Sequence, residues 1–401
     1  MVELWLPYGD TEVFVNVPSE NLLGFFEFEA PQGEVLSPSI FEPIRGALGG
    51  AKDISLAIDG ELIRSEGGEA ILRALVDSLP GANLKAFTGA DGPLPALPGL
   101  EWRRGEPASR SFEDLGRTSY GNKVRIDGDF SRSDRRVLLG KLDRDPIYGY
   151  GWAGRFLRCV ASPETARANA ALALKADPKA DPEENPSYLD VCECAEVAGI
   201  DYAIFFIEGR GELAECAQGG FGEALKAGIG RYRELYSKRL KRKAEIVISS
   251  AGGIPQDLCF ESASRSLFNA AGGLREGGAI LLLAECRDGM GSPALGDLFA
   301  SHRSRERLEE LLEREPSEAG IYSYLLMGVF EEFKVLLVSA LPEALLRPLK
   351  IRAFRSANSA LESAKRALGE DSKICAIANA SKNFLSLAAD GQPGGGPQWT
   401  P

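Results

Sequence analysis

A chain of 401 residues with 44% hydrophobic and 26% charged side chains has the apolar content of an ordinary globular protein and length enough for two domains of roughly 100 to 200 residues each. Its formal charge of -12 excludes a general nucleic-acid binder, which needs Lys and Arg clustered on one face to neutralise phosphates. Seven scattered cysteines, no apolar stretch near the roughly 20 residues of a membrane span, and no basic, apolar leader after Met1 lead to the expectation of a reducing cytoplasm and no membrane.

Short apolar or β-branched runs bounded by Gly, Pro or Asp alternate with amphipathic stretches along the chain. The pattern predicts strands at 12–17, 54–58, 84–88, 136–139, 202–207, 245–249, 279–284, 335–338 and 374–377. Helices are predicted at 69–78, 162–174, 188–198, 220–243, 260–271, 304–314 and 356–369. Strands that alternate with helices imply an α/β fold: two domains with mainly parallel sheets flanked by helices, and a cleft between them suited to a small ligand.

The basic run 231–243 places Tyr232, Leu235, Tyr236 and Leu240 at near-helical spacing, so it reads as a solvated helix with one packed stripe. It separates the first five strands from the last four. The expected domains are therefore 1–243 and 244–390, followed by a tail, 391–401 (GQPGGGPQWTP), too poor in apolar residues to pack. Cys192 and Cys194 form a C-x-C pair with no further ligands at metal-site spacing, so no metal is expected there. His302, the only histidine, sits in a charged amphipathic segment and reads as an exposed helix-start residue.

Three stretches, WLPYG with EVFVNVP at 5–18, GALGGAKDISLAIDG at 46–60 and the run 245–291, together resemble the nickel-dependent lactate racemase family. WLPYG at Trp5 to Gly9, leading into EVFVNVP, resembles that family's N-terminal strand pair. GALGGAKDISLAIDG resembles the approach to its first active-site loop. The third and most specific is 245–291, where EIVISSAGGIPQDLCFESASRSLFNAAGGLREGGAILLLAECRDGMG parallels its strand, glycine turn, helix and second strand. The resemblance implies a site in which nickel is held by a pyridinium-derived nucleotide tethered to a lysine, with one histidine on the metal. It also implies two further histidines that exchange the substrate's hydroxyl proton while hydride passes to the cofactor, imidazole being suited to both tasks.

Position by position, the resemblance puts Asp59 and Arg64 on the first loop and Asp91 where one catalytic histidine belongs. Pro146 stands at the other histidine, Phe156 at the tethering lysine just after Arg155, and Tyr188 at the nickel ligand, within Asn185-Pro-Ser-Tyr188-Leu-Asp190. In the second domain Arg265 replaces a substrate-binding lysine, with Glu261 and Ser262 one turn earlier. Gly252 and Gly253 read equally as ligand contacts and as turn formers, and Asp257, Glu285 and Arg287 as an internal salt-bridged trio.

Asp91 and Tyr188 are thus the catalytic candidates. Asp91 needs burial to lift a carboxylate toward neutrality, and Tyr188 needs to lose a proton from a group near pKa 10. The binding candidates are Asp59, Arg64, Arg155, Gly252, Gly253, Glu261 and Arg265, with Lys85 and Lys141 as substitute tethers to be checked. The reading is a catalytically degenerate relative that binds a small acidic or nucleotide ligand in the cleft or partners an active paralogue, as a homo- or hetero-oligomer. A repurposed enzyme and a 2-hydroxy acid racemase or epimerase are the alternatives. No cofactor is expected, the nickel-pincer nucleotide belonging only to the last of them.

Overall fold

The computed structural model describes residues 1–27, 36, 38–104, 109–177, 180–209, 211–302 and 304–388; the expected tail at 391–401 lies outside them. The chain divides into two units. One holds Met1–Glu29, Asp177–Ala180 and Tyr236–Pro401, and the other Ala30–Ala176 and Asp181–Leu235.

In the second of these units a six-stranded sheet runs in the order Leu213–Gly219, Tyr202–Glu208, Arg135–Leu142, Asp53–Ile58, Asn83–Phe87, Leu100–Arg103. All neighbours are parallel except the first pair. The central strands read as unbroken apolar runs because both faces are covered. On one face Leu56, Ile58, Val137, Leu139, Ile204 and Phe206 pack against Leu62, Leu72 and Leu75 from the helices Gly60–Arg64 and Gly68–Ser78.

The other unit has an all-parallel sheet in the order Arg352–Phe354, Lys334–Val338, Leu274–Leu283, Ala244–Ser250, Ile374–Ile377, Leu22–Phe26. The first residues of the chain, expected in the N-terminal domain, therefore belong with the C-terminal one. Leu22–Phe26 supplies its edge strand. The hairpin Val2–Tyr8/Thr11–Val17 buries Leu4, Leu6, Val15 and Val17 in the same core as Ile246, Leu281 and Ile374.

The predicted helix 220–243 stops at Tyr236. Ser237–Leu240 is instead a strand, parallel to Phe384–Leu387. Tyr232, Tyr236 and Leu240 are buried as the spacing implied, but they do not share one helix. Two further helices are not among the predicted ones. Gly151–Val160 buries nine of its ten residues, and Gly154 is required there because a Cβ would lie 2.3 Å from the ring of Tyr148. Glu318–Glu332 is apolar along most of its length. His302 is half-buried at the end of the helix Pro293–Ser301 rather than exposed at the start of the next, whose N-cap is Ser304.

Candidate functional site

In an open parallel sheet the connections on either side of the first strand run in opposite directions, leaving a crevice at the carboxyl ends where ligands bind. In the sheet built on Asp53–Ile58, that switch point lies between Asp53–Ile58 and Arg135–Leu142. Asp59 directly follows the first of these strands, Lys141 and Asp143 close the second, and Glu208 ends the neighbouring Tyr202–Glu208.

These groups form one charged cluster. Asp59, 2% exposed, accepts the Glu61 backbone N–H through Oδ1 (2.8 Å), capping the helix Gly60–Arg64. Its Oδ2 accepts the Lys141 N–H (2.9 Å) and Arg155 Nε (2.7 Å). Arg155 reaches back from the helix Gly151–Val160 and donates its Nη2 to the Lys141 carbonyl (2.8 Å) and to Asp143. Burial alone would weaken the charge on Arg155, but Asp143 and Asp59 overcome it and push the pKa well above the usual guanidinium value. Lys141 Nζ donates to Glu208 Oε2 at 2.7 Å and lies 3.8 Å from Glu61. Its burial opposes the charge, while Asp143, Glu208 and Glu61 more than offset it, so the ammonium stays protonated.

The sequence candidates separate under this geometry. Asp59 and Arg155 meet at the centre of the cluster. Arg64 does not join them: it is exposed and pairs with Glu61 one turn away. Asp91 lies exposed after the strand Asn83–Phe87, so the burial that would make it a base is lacking. Tyr188 is 4% exposed and packed edge-on against Tyr150 (5.6 Å) and Trp152 (6.2 Å). Desolvation, then the neighbouring Cys192, push its phenol far above the ordinary range, the reverse of what a phenolate ligand needs.

The frame around Tyr188 survives for another reason. Asn185 caps the helix Pro186–Val197 and donates to the Ile147 carbonyl at 2.9 Å. Asp190, fully buried, accepts from Thr118, Asn122 and Asn169. Phe156, at the tether position, is a fully buried core side chain, Lys141 is ion-paired, and Lys85 is half-buried within its strand. Among the described residues no three His, Cys, Asp or Glu side chains stand where they could hold a metal ion. This donor set does not fit a nickel centre of the kind the resemblance implies.

In the other unit the switch point lies between Ala244–Ser250 and Ile374–Ile377, and the chain fills it. Gly252 has φ +116° and a Cβ there would lie 2.3 Å from Asn379 Oδ1; Gly253 has φ +72° and would meet the Gly9 carbonyl at 2.8 Å. Gly253 thus makes room for the hairpin tip Pro7–Gly9 and Gly252 for Asn379. Of the acidic and basic trio, Arg287 lies 3.3 Å from Glu285, but Asp257 binds backbone instead, accepting the N–H groups of Gly9 (2.7 Å) and Glu285 (3.2 Å). Glu261 Oε2 accepts the Ser292 N–H at 2.7 Å, and Arg265 is exposed on the same helix.

Sequence reasoning treated Lys141 only as a tether and missed Asp143 and Glu208. The available signal was positional: all three sit at or just past the ends of predicted strands.

Glu61 gives the cluster a pH signature. Burial raises its pKa, but Lys141 and Arg64 lower it more, so the folded value lies below the ordinary 4.5. A depressed carboxylate contributes stability that is fully present above the unfolded pKa and lost as pH falls through the folded one. Glu61→Gln should therefore flatten the acid limb of a urea-stability profile taken from about pH 3 to pH 7. Parallel acid limbs for the two proteins would refute the pairing.

Residues 240–382 match the family model described as the lactate racemase C-terminal domain. A lactate racemase of Thermoanaerobacterium thermosaccharolyticum is 23% identical over 281 residues, 67% of this chain; the match spans 65% of that protein's length, a little under two thirds. The structure of the lactate racemase apoprotein from the same organism is similar in fold, with a TM-score of 0.80 at 18% identity, covering 96% of this chain and all of that one. A Thermotoga maritima protein structure is similar at TM-score 0.59 and 14% identity, covering 88% and 97% of the two chains.

Proposed function

Because the chain belongs to the lactate racemase family, we propose that it is a member that has left nickel-pincer hydride chemistry and binds a nucleotide-like ligand at the switch point beside Asp59. The observation that carries this is the charge arrangement. Lys141 and Arg155 both spend their charge on carboxylates, so a ligand's own carboxylate finds no free cation in the cluster and would face four acids, Asp59, Glu61, Asp143 and Glu208. Asp143 and Glu208 remain 31% and 19% exposed, within reach of ligand hydroxyls. Carboxylates at a switch point are suited to a ribose diol, which favours a nucleotide held there by its ribose, with its phosphate turned away from the four acids, over a small acid.

No step of catalysis is assigned to these residues. Glu61 is held below the ordinary carboxylate range, the opposite of a general acid poised near neutrality.

The test is to co-produce the protein with the enzymes that make the family's cofactor, then measure intact mass, nickel content and lactate racemisation. An unmodified mass, no nickel and no racemisation are expected; a nucleotide-sized mass increment with equimolar nickel would sink the proposal. Isothermal titration with nucleoside monophosphates should then show binding that weakens about tenfold, roughly 1.4 kcal/mol, in Glu208→Gln. Tighter binding of D- or L-lactate than of any nucleotide would reverse the choice of ligand.

A further inference from the structure

A cavity of about 400 Å³ opens at the opposite, amino-terminal end of the sheet in the C-terminal unit, where the strands Lys334–Val338 and Arg352–Phe354 begin. Its walls are apolar: Phe333, Leu349, Ile351 and Ala364 are each 5% exposed or less. Three cations line it, Lys334, Lys350 and Arg352. In a chain of net charge -12, where the cations of the switch-point cluster are all neutralised, these three stand out. Among the described residues neither lysine ammonium has a hydrogen bond or ion pair, and the Arg352 guanidinium contacts only the ring of Phe354, 5.3 Å away. The two acids on the lining are engaged elsewhere, Glu331 with Arg305 at 3.9 Å and Glu332 in contacts of its own.

Two further observations point into the cavity. Lys350 holds φ +59°, a left-handed backbone that a lysine rarely adopts, and such outliers persist where surrounding structure enforces them. The Ser363 hydroxyl, in a residue 7% exposed on the lining and within the helix Ala357–Leu368, has no hydrogen-bond partner among the described residues. An apolar pocket with a few convergent polar groups is the usual form of a small-molecule site.

We propose that this cavity binds an amphipathic organic anion, its acyl or aryl body against Phe333, Leu349 and Ile351 and its acidic head between Lys350, Lys334 and Arg352. The site is separate from the switch-point cluster and does not depend on the nucleotide reading. A carboxylate head fits the arginine as a bidentate fork and the lysines as point charges, and the apolar body supplies the hydrophobic gain.

The test uses the full chain and the fluorescent anion 8-anilinonaphthalene-1-sulfonate, with octanoate as competitor. A single saturable site displaced by octanoate is expected. Binding should weaken about tenfold, roughly 1.4 kcal/mol, in the double variant Lys350→Gly with Arg352→Gln. Ala367→Trp, which narrows the mouth, should weaken it as well, with thermal unfolding unchanged in both. Absence of saturable binding, or affinity indifferent to both variants, would overturn the proposal. Should one variant fold poorly, Lys334→Gln provides the same comparison at an exposed position.

Discussion

Replacing Arg155 with methionine is expected to destabilise the unit that carries it by about 3 to 5 kcal/mol, because removing one partner of a buried ion pair strands the other. The Arg155 side chain is 10% exposed and Asp59 2%. Without the guanidinium, Asp59 Oδ2 keeps only the Lys141 N–H, and Asp143 loses the cation that holds it. Arg155→Lys should fall between the two, since a lysine restores charge but cannot span Asp59, Asp143 and the Lys141 carbonyl as the planar fork does. Adding Asp59→Asn to Arg155→Met should recover part of the loss. Asparagine still caps the helix Gly60–Arg64 yet removes the stranded charge, so the double-mutant cycle should show strong positive coupling. Urea unfolding followed by tryptophan fluorescence reads this directly, Trp152 being fully buried in the same unit. A loss under about 1 kcal/mol would mean that the cluster is hydrated and that the buried-pair account is wrong.

Much of this fold was legible because its central strands are short apolar runs between turn residues, and nine such runs are strands in the structure. The failures have physical causes. Lys238 to Lys243 carry no helix-breaking residue, so nothing local announced that Ser237–Leu240 would leave the helix to pair with a strand almost 150 residues later. Gly151 and Gly154 look like loop residues, yet they are glycines because Arg155, Asp143 and the Tyr148 ring occupy the space of their side chains.

At the site, residue type alone could not separate Arg64 from Arg155. Arg64 lies in the same loop motif as Asp59 and Arg155 in a separate one, and only the fold brings the second, 96 positions away in sequence, to the carboxylate. Tyr188 shows the same limit in reverse. Its motif neighbours Asn185 and Asp190 look like parts of a metal site, but their bonds are those of a helix cap and a buried polar network.

The second large effect concerns the hairpin Val2–Tyr8/Thr11–Val17, which Asp257 holds by its tip. Asp257→Ala is expected to cost about 2 to 4 kcal/mol, since two backbone N–H groups lose a charged acceptor at about 1.5 to 3 kcal/mol each and part of that returns with the carboxylate's desolvation. The position is fully buried, and one carboxylate oxygen, Oδ1, has no partner among the described residues, so the aspartate is kept for Gly9 and Glu285 rather than for its own comfort in the core. A two-stranded ribbon is marginal alone; this one relies on its apolar face and on the anchored tip. Amide hydrogen exchange separates the two. If the tip matters, protection across 2–17 should fall in Asp257→Ala by more than protection in the central strand Ala244–Ser250, and Asp257→Asn should show about half the effect because an amide oxygen still accepts. Gly9→Ala should loosen the same segment by a different route, as its φ of +59° disfavours a side chain and the new Cβ would lie 2.5 Å from Glu285 Oε2. Unchanged exchange in all three would assign the hairpin wholly to Leu4, Leu6, Val15 and Val17, and would leave Asp257 without a structural reason to be an acid.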